Sequence, residues 1–141
     1  MQNIIIDTGP IVALLNRKDK HHKRVLEFTR NYSGSFVTTW SVITEATHLL
    51  RQSIQAQLNL LEWIRRGGIE IFQIEKSDIE RMITLTKKYS DLPMDLADCS
   101  LIIVAERLNI KEIISIDSDY DIYRTLKREP LINLLYDYPL K

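Results

Sequence analysis

Met94-Asp-Leu-Ala-Asp-Cys-Ser-Leu-Ile-Ile-Val-Ala-Glu-Arg-Leu108 is the stretch on which the fold turns. Read as a helix it is apolar nearly all round, through Leu96, Ala97, Cys99, Leu101, Ile102, Ile103, Val104, Ala105 and Leu108. A helix of that kind belongs in a core rather than on a surface. Asp98 nevertheless lies in its first turns, with Asp95 one turn earlier on the same face. A carboxylate carried toward an apolar interior is unfavourable unless a cation, a metal ion or several donors meet it. Asp95 reads as the N-cap, which leaves Asp98 as the acid to be accounted for.

The segments on either side alternate in type. Asn3–Ile6 is a short β-branched run ended by Asp7-Thr-Gly-Pro10, predicting a buried strand that enters a helix with Pro10 in its first turn. Asp19 is expected to cap a second helix carrying Val25, Leu26 and Phe28, and Gly34 to break it. Residues 35–39 predict a second strand, and Ser41 is expected to cap a helix over 42–51 that holds Glu45. Leu58, Leu61 and Ile64 recur at helical spacing over 55–66, before the stop at Gly67-Gly68. Residues 69–74 alternate like a strand, and Ser77-x-x-Glu80 reads as a capping box opening a helix to about Tyr89. Asp91-Leu-Pro93 is the turn into the opening helix. A fourth strand is predicted over 112–116, a short helix over 122–126 and a last strand over 131–135. Strands alternating with helices predict a three-layer α/β/α sandwich around a mostly parallel sheet, as a single domain over 1–141.

Bulk properties narrow the classes of function. The 141 residues carry 19 basic and 19 acidic side chains, for a formal net charge of zero, so no global basic field announces a polyanion partner. The one cysteine, Cys99, excludes an intramolecular disulfide and reads as a buried structural thiol. No apolar run reaches the length of a membrane span, and no basic leader precedes the first strand, so a cytoplasmic protein with no membrane role is expected.

Four acids stand out. Asp7 and Asp117 end the first and fourth strands, on the sheet edge where α/β folds place their sites. Glu45 and Asp98 sit in helices with apolar neighbours. Each has a plain local reading: a cap for Asp7, a solvated helical acid for Glu45, turn and cap positions for Asp117, Asp119 and Asp121. Gathered together they would repel unless compensated. A divalent cation is the simplest compensation, and all-oxygen ligation points to Mg²⁺ or Mn²⁺. Carboxylate-bound ions of that type suit phosphodiester hydrolysis.

Ile4-Ile-Ile-Asp7-Thr-Gly9, Thr44-Glu45-Ala46, Asp95-Leu-Ala-Asp98-Cys-Ser-Leu-Ile-Ile-Val-Ala105 and Ser115-Ile-Asp117-Ser-Asp119-Tyr120, taken in order, resemble the PIN domain. The resemblance is closest to the VapC-type ribonuclease toxins of toxin–antitoxin pairs and covers essentially the whole chain. It implies a Mg²⁺/Mn²⁺-dependent endoribonuclease with Asp7, Glu45, Asp98 and Asp117 as the metal-binding and catalytic acids. Asp7 and Asp98 match the usual direct ligands, and Thr8 and Ser115 match supporting hydroxyls, with Asp119 beside them. It also implies an RNA substrate, a cognate antitoxin and a homodimer. Three positions depart from the usual pattern: Ser115 where Thr is common, Tyr120 where Phe is, and Gly9 where Ser is.

Arg17, Lys18, Lys20, Lys23 and Arg24 are candidate phosphate contacts, and Arg124, Lys127 and Arg128 form a second candidate grip. His21 and His22 read as local capping residues, Trp40 and Trp63 as core or interface. Two other functions are compatible with the pattern. One is a haloacid-dehalogenase-like phosphatase using Asp7 as nucleophile, which wants a second Asp where this chain has Gly9. The other is a catalytically weak RNA- or protein-binding PIN module.

Overall fold

The computed structural model describes residues 3–92 and 94–136. Five strands form one sheet: β1 (Asn3–Ile6), β2 (Ser35–Thr38), β3 (Ile69–Ile71), β4 (Glu112–Ile114) and β5 (Ile132–Asn133). Their order is β3-β2-β1-β4-β5 and every pairing is parallel, with Ile5 opposite both Val37 and Ile113. Ile4, Ile5 and Ile6 are all buried, as are Ile113 and Ile114. Successive strand residues point to opposite faces, so the sheet is covered on both sides and the sandwich has three layers.

Six helices supply the cover: α1 (Thr8–Leu15), α2 (His22–Asn31), α3 (Trp40–Leu49), α4 (Ile54–Arg65), α5 (Ile79–Lys88) and α6 (Leu96–Leu108). From Ala97 to Ala105 only Asp98 on α6 escapes full burial. Each large side chain buried there contributes roughly 1.5–3 kcal/mol, which anchors the helix against β1, α3 and α5. The chain steps outward from β1 through β2 and β3, then returns to lay β4 on the free side of β1. That reversal opens a crevice at the carboxyl ends of β1 and β4.

Several local expectations are corrected. Helix α3 starts at Trp40 with Thr39, not Ser41, in the N-cap position. The Thr39 hydroxyl makes no cap and instead pairs with Ser100 Oγ at 2.6 Å. Asp19 does not cap α2; its Oδ1 accepts from the His21 amide at 2.8 Å, and His21 is the N-cap residue. The capping box before α5 is Glu75 with Asp78, across a 3₁₀ turn at Lys76–Asp78, rather than Ser77 with Glu80. Asp78 prevails because it is also held by Arg107 at 2.6 Å from the neighbouring helix. The short helix expected over 122–126 is a 3₁₀ turn at Ser118–Asp121 instead. Beyond it the chain turns back, and Arg124 bridges to Pro130. Strands β3, β4 and β5 are shorter than expected, and Pro93 lies outside the described residues. Leu96 and Leu108 are exposed, so α6 is less uniformly apolar in its setting than in its composition.

Candidate metal and active site at the carboxyl ends of β1 and β4

Asp7 follows β1 directly and occupies the N-cap position of α1 in extended conformation, yet its side chain makes no cap hydrogen bond. Ser115 Oγ donates to Asp7 Oδ2 at 2.9 Å. The Asp117 amide donates to the same Ser115 Oγ at 2.9 Å, and the Asp119 amide to Asp117 Oδ1 at 2.9 Å. One hydrogen-bonded run thus joins the two strand ends. Ser115 is itself clamped from β5. Asn133 Oδ1 accepts from the Ser115 amide at 3.2 Å, and Asn133 Nδ2 donates to the Ser115 carbonyl at 2.8 Å.

Asp98 arrives from the other side on the first turn of α6. Asp95 Oδ1 accepts from the Asp98 amide at 2.8 Å, and Asp98 Oδ2 accepts from the Asp95 amide at 3.4 Å, so Asp95 is the cap as expected. Tyr120 Oη donates to Asp98 Oδ1 at 3.2 Å, with a longer contact from Tyr123 Oη at 3.5 Å. Beneath them Ser100 Oγ donates to the Ala97 carbonyl at 2.7 Å and holds Thr39. This pins the end of β2 to the turn that carries Asp98.

The electrostatics match this crowding. Burial pushes the Asp7 carboxyl up to about 6, the Thr8 amide and Ser115 hydroxyl pull it back, and Asp117 and Glu45 push it up again. Burial likewise lifts Asp98 to about 7, helped by Asp95 and Asp7 and opposed by the Asp95 amide and Tyr120. The Tyr120 phenol is driven well above its usual range by burial and by the Asp7 and Asp98 charges. Among the described residues no salt bridge reaches Asp7, Glu45, Asp98 or Asp117.

Glu45 is half-buried on α3, reaches Asp7 through its field, and lines a cavity with Trp40, Asp95 and Leu96. Thr8 is buried, and its hydroxyl is without a partner among the described residues. Also among the described residues, no three acid, His or Cys side chains stand close enough to form a ready-made ion cage. The donor set still fits a hard cation: carboxyl oxygens short of positive charge and one orphaned hydroxyl, all oxygen.

The basic candidates separate. Lys20 and Arg24 stand beside Ile116, next to the acids. Arg17 and Lys18 lie instead at the far end of α1, against Leu49 and Ser53. The Arg124 guanidinium is tied to the Asp121 and Tyr123 carbonyls at 2.6 and 2.9 Å. Lys127 lines a pocket at the opposite end of α6 with Asn109 and Lys111. His22 Nδ1 pairs with the Ala13 carbonyl at 2.8 Å, a local role as expected. Trp63 packs edge-on to Phe36, whereas Trp40 is exposed rather than core.

The sequence profile of the PIN domain matches residues 4–126, nearly the whole described chain. The chain belongs to the PIN-domain family. It is 25% identical over 116 residues to ribonuclease VapC26 of Mycobacterium tuberculosis, covering 81% of this chain and 86% of that protein. Its fold is similar to that of Mycobacterium tuberculosis VapC20, described as a sarcin-ricin loop cleaving toxin. The TM-score is 0.73 at 18% identity, covering 82% of this chain and 91% of that one.

This PIN domain also uses residues that the sequence reading did not assign. Tyr123 joins Tyr120 in an edge-to-face pair, with ring centroids 5.3 Å apart, over Asp98. Their spacing in Tyr120-Asp-Ile-Tyr123, three apart across one turn, is a signal that was there to be used. Asn133 and Ser100 matter to the site through their contacts with Ser115 and Thr39, which nothing in the neighbouring sequence marks. Cys99 donates to the Met82 carbonyl at 3.6 Å and burial lifts its thiol, consistent with a structural role.

Proposed function

We propose that this PIN domain is a Mg²⁺- or Mn²⁺-dependent endoribonuclease, the toxin of a toxin–antitoxin pair acting in the cytoplasm. One observation carries the reading. Asp7 and Asp98 meet at the switch-point crevice as two carboxyls raised by burial and by neighbouring acids, and among the described residues no basic side chain is bonded to either. Carboxyls held in that state await a cation. The similarity to a protein named as a ribonuclease supports RNA as the substrate.

Asp7 and Asp98 would hold the ion, with Glu45 and Asp117 completing the set. Bound there, Mg²⁺ or Mn²⁺ supplies positive charge against a phosphodiester and lowers the pKa of water. The chain's own groups prepare the place. Ser115 orients the Asp7 carboxyl, Asn133 fixes Ser115, and Tyr120 and Tyr123 fix Asp98. Asp119 shapes the Asp117 turn through its amide. Thr8, next to Asp7 in the chain, keeps a buried hydroxyl that has no partner among the described residues. The antitoxin and homodimer expected of the family belong to the same proposal. Among the described residues no helix is long and apolar enough to cross a membrane.

Purified protein should cut structured RNA with Mg²⁺ or Mn²⁺ and stop when chelator is added. Undiminished cleavage by Asp98→Asn would overturn the assignment. Nothing in the geometry favours the phosphatase reading: a Cβ on Gly9 would lie 3.2 Å from the Ile116 Cβ, leaving no ready room for a second acid.

A further inference from the structure

A separate cavity opens beside the acids. It has a volume of about 370 Å³ and is lined by Lys20, His21, Arg24, Ile116, Leu135 and Tyr136. That size falls in the range of about 300–1,000 Å³ typical of small-ligand clefts. Ile116 stands between Ser115 and Asp117, so the cavity and the acid edge share one stretch of backbone. Tyr136 fastens the two together, its hydroxyl donating to the Ile116 carbonyl at 3.0 Å. The fields of Asp121 and Asp117 reach the same phenol.

The two walls of the cavity differ in chemistry. One is cationic: Lys20 is exposed at the entry to α2, and Arg24 stands in that helix's first turn. That turn carries no acid, and no side chain among the described residues caps it, so its positive end adds to the two charges. Asp19 accepts from the His21 amide and forms no ion pair with Lys20 or Arg24 among the described residues, so both side chains keep their cationic heads for a ligand. Arg24 Nη1 donates to the Leu135 carbonyl at 3.3 Å, which holds the guanidinium at the rim. The other wall is apolar, formed by Ile116, Leu135 and the half-exposed ring of Tyr136. Cations for phosphate beside an aromatic face for a base are the two parts used to hold single-stranded nucleic acid.

We propose that this cavity receives an unpaired nucleotide flanking the scissile phosphate, with Lys20 and Arg24 on its phosphate and Tyr136 stacked on its base. The proposal rests on the ribonuclease reading and deepens it: the substrate is engaged where RNA is single-stranded, on the Ile116 side of the acids. Of the basic candidates read from the sequence, it keeps Lys20 and Arg24 and sets aside Arg17 and Lys18.

The test is binding of a short, fluorescently labelled single-stranded RNA of mixed sequence, in chelator and low salt, followed by anisotropy. Cleavage of structured RNA with Mn²⁺ is measured separately. The Lys20→Gln/Arg24→Gln variant should bind at least about tenfold more weakly, with a salt dependence shallower by about one to two charges. The exposed Lys20→Gln change alone should weaken binding with an unaltered melting temperature. Tyr136→Ala should lose about fivefold or more, while Tyr136→Phe, which keeps the ring and gives up only the bond to the Ile116 carbonyl, should lose clearly less. Arg17→Gln/Lys18→Gln should bind like wild type. Wild-type affinity in the Lys20/Arg24 variant overturns the subsite, and so does an equal loss in the Arg17/Lys18 variant. A Phe variant as weak as the Ala variant, or wild-type protein that binds no RNA, overturns it too. Wild-type protein that binds but does not cut refutes the nuclease reading instead, and the binding variants still decide the subsite.

Discussion

The two ends of helix α6 treat their acids in opposite ways. Toward its C-terminus Glu106 accepts from Arg81 Nη2 at 2.8 Å and from the Leu126 amide at 2.9 Å. One residue on, Arg107 donates to the buried carboxylate of Asp78 at 2.6 Å. At the N-terminus Asp98 meets, among the described residues, only hydroxyls and an amide, with Asp7 and Asp95 near enough to raise it further. The chain has as many basic as acidic side chains, so cations are not in short supply. It neutralises carboxylates on one flank of its core and leaves them open at the crevice between β1 and β4. Openness is therefore a property of that edge, and it is what an incoming cation needs.

The contrast can be broken most severely through activity. Asp98→Asn should lower RNA cleavage on the order of 100-fold or more, since even residues that merely support a metal ligand are worth 10–100-fold. Glu106→Gln should leave cleavage nearly unchanged, and rates on matched RNA check both.

Stability should respond with opposite signs at the two ends. Asp7 has a folded pKa of about 6 against an ordinary 3.8, so its proton is held more tightly folded than unfolded. The favourable contribution is complete below about pH 4 and is lost as the pH rises through about 6. Asp7→Asn, which mimics the protonated group, should therefore stabilise the chelator-treated protein at pH 8 by up to about 3 kcal/mol. The gain should vanish near pH 4 in thermal melts. Glu106→Gln should instead destabilise by about 2 kcal/mol at pH 8, less than a fully buried pair because Arg81 is partly exposed. The smallest effect is expected from Tyr120→Phe. Losing its hydroxyl removes about 1 kcal/mol of hydrogen bonding and should move the Asp98 titration upward, read by NMR.

What could be read ahead of the structure was whatever is local. The β-branched run halted by Asp7 announced the end of β1, and the run before Asp117 announced β4 but overran its end by two residues. Asp95-x-x-Asp98 likewise announced its own cap. Contacts across the sheet left no such trace. Asn133 reads as one polar residue in a short strand, yet it clamps Ser115 from 18 residues away. Ser77-x-x-Glu80 fitted the local pattern of a capping box, but Glu75 and Asp78 took that place because Arg107 reaches Asp78 from α6. A short helix was expected over 122–126, but the 3₁₀ turn ends at Asp121 and Arg124 bridges to Pro130 instead. The site followed the same rule. Its acids were visible one by one, whereas the tyrosines over Asp98 and the cations beside Ile116 needed the fold to bring them in.

The placement of β4 against β1 also sets a clock. Asp7 and Ser115 are 108 residues apart along the chain, yet one hydrogen bond joins them. At ordinary synthesis rates roughly 5–20 s separate their emergence from a ribosome. During that interval a growing chain carries Asp7 with no Ser115 to orient it and no Asp117 beside it. A chain of this topology cannot assemble the site before β4 has been made, and any protein that binds it earlier does so before the acids have met.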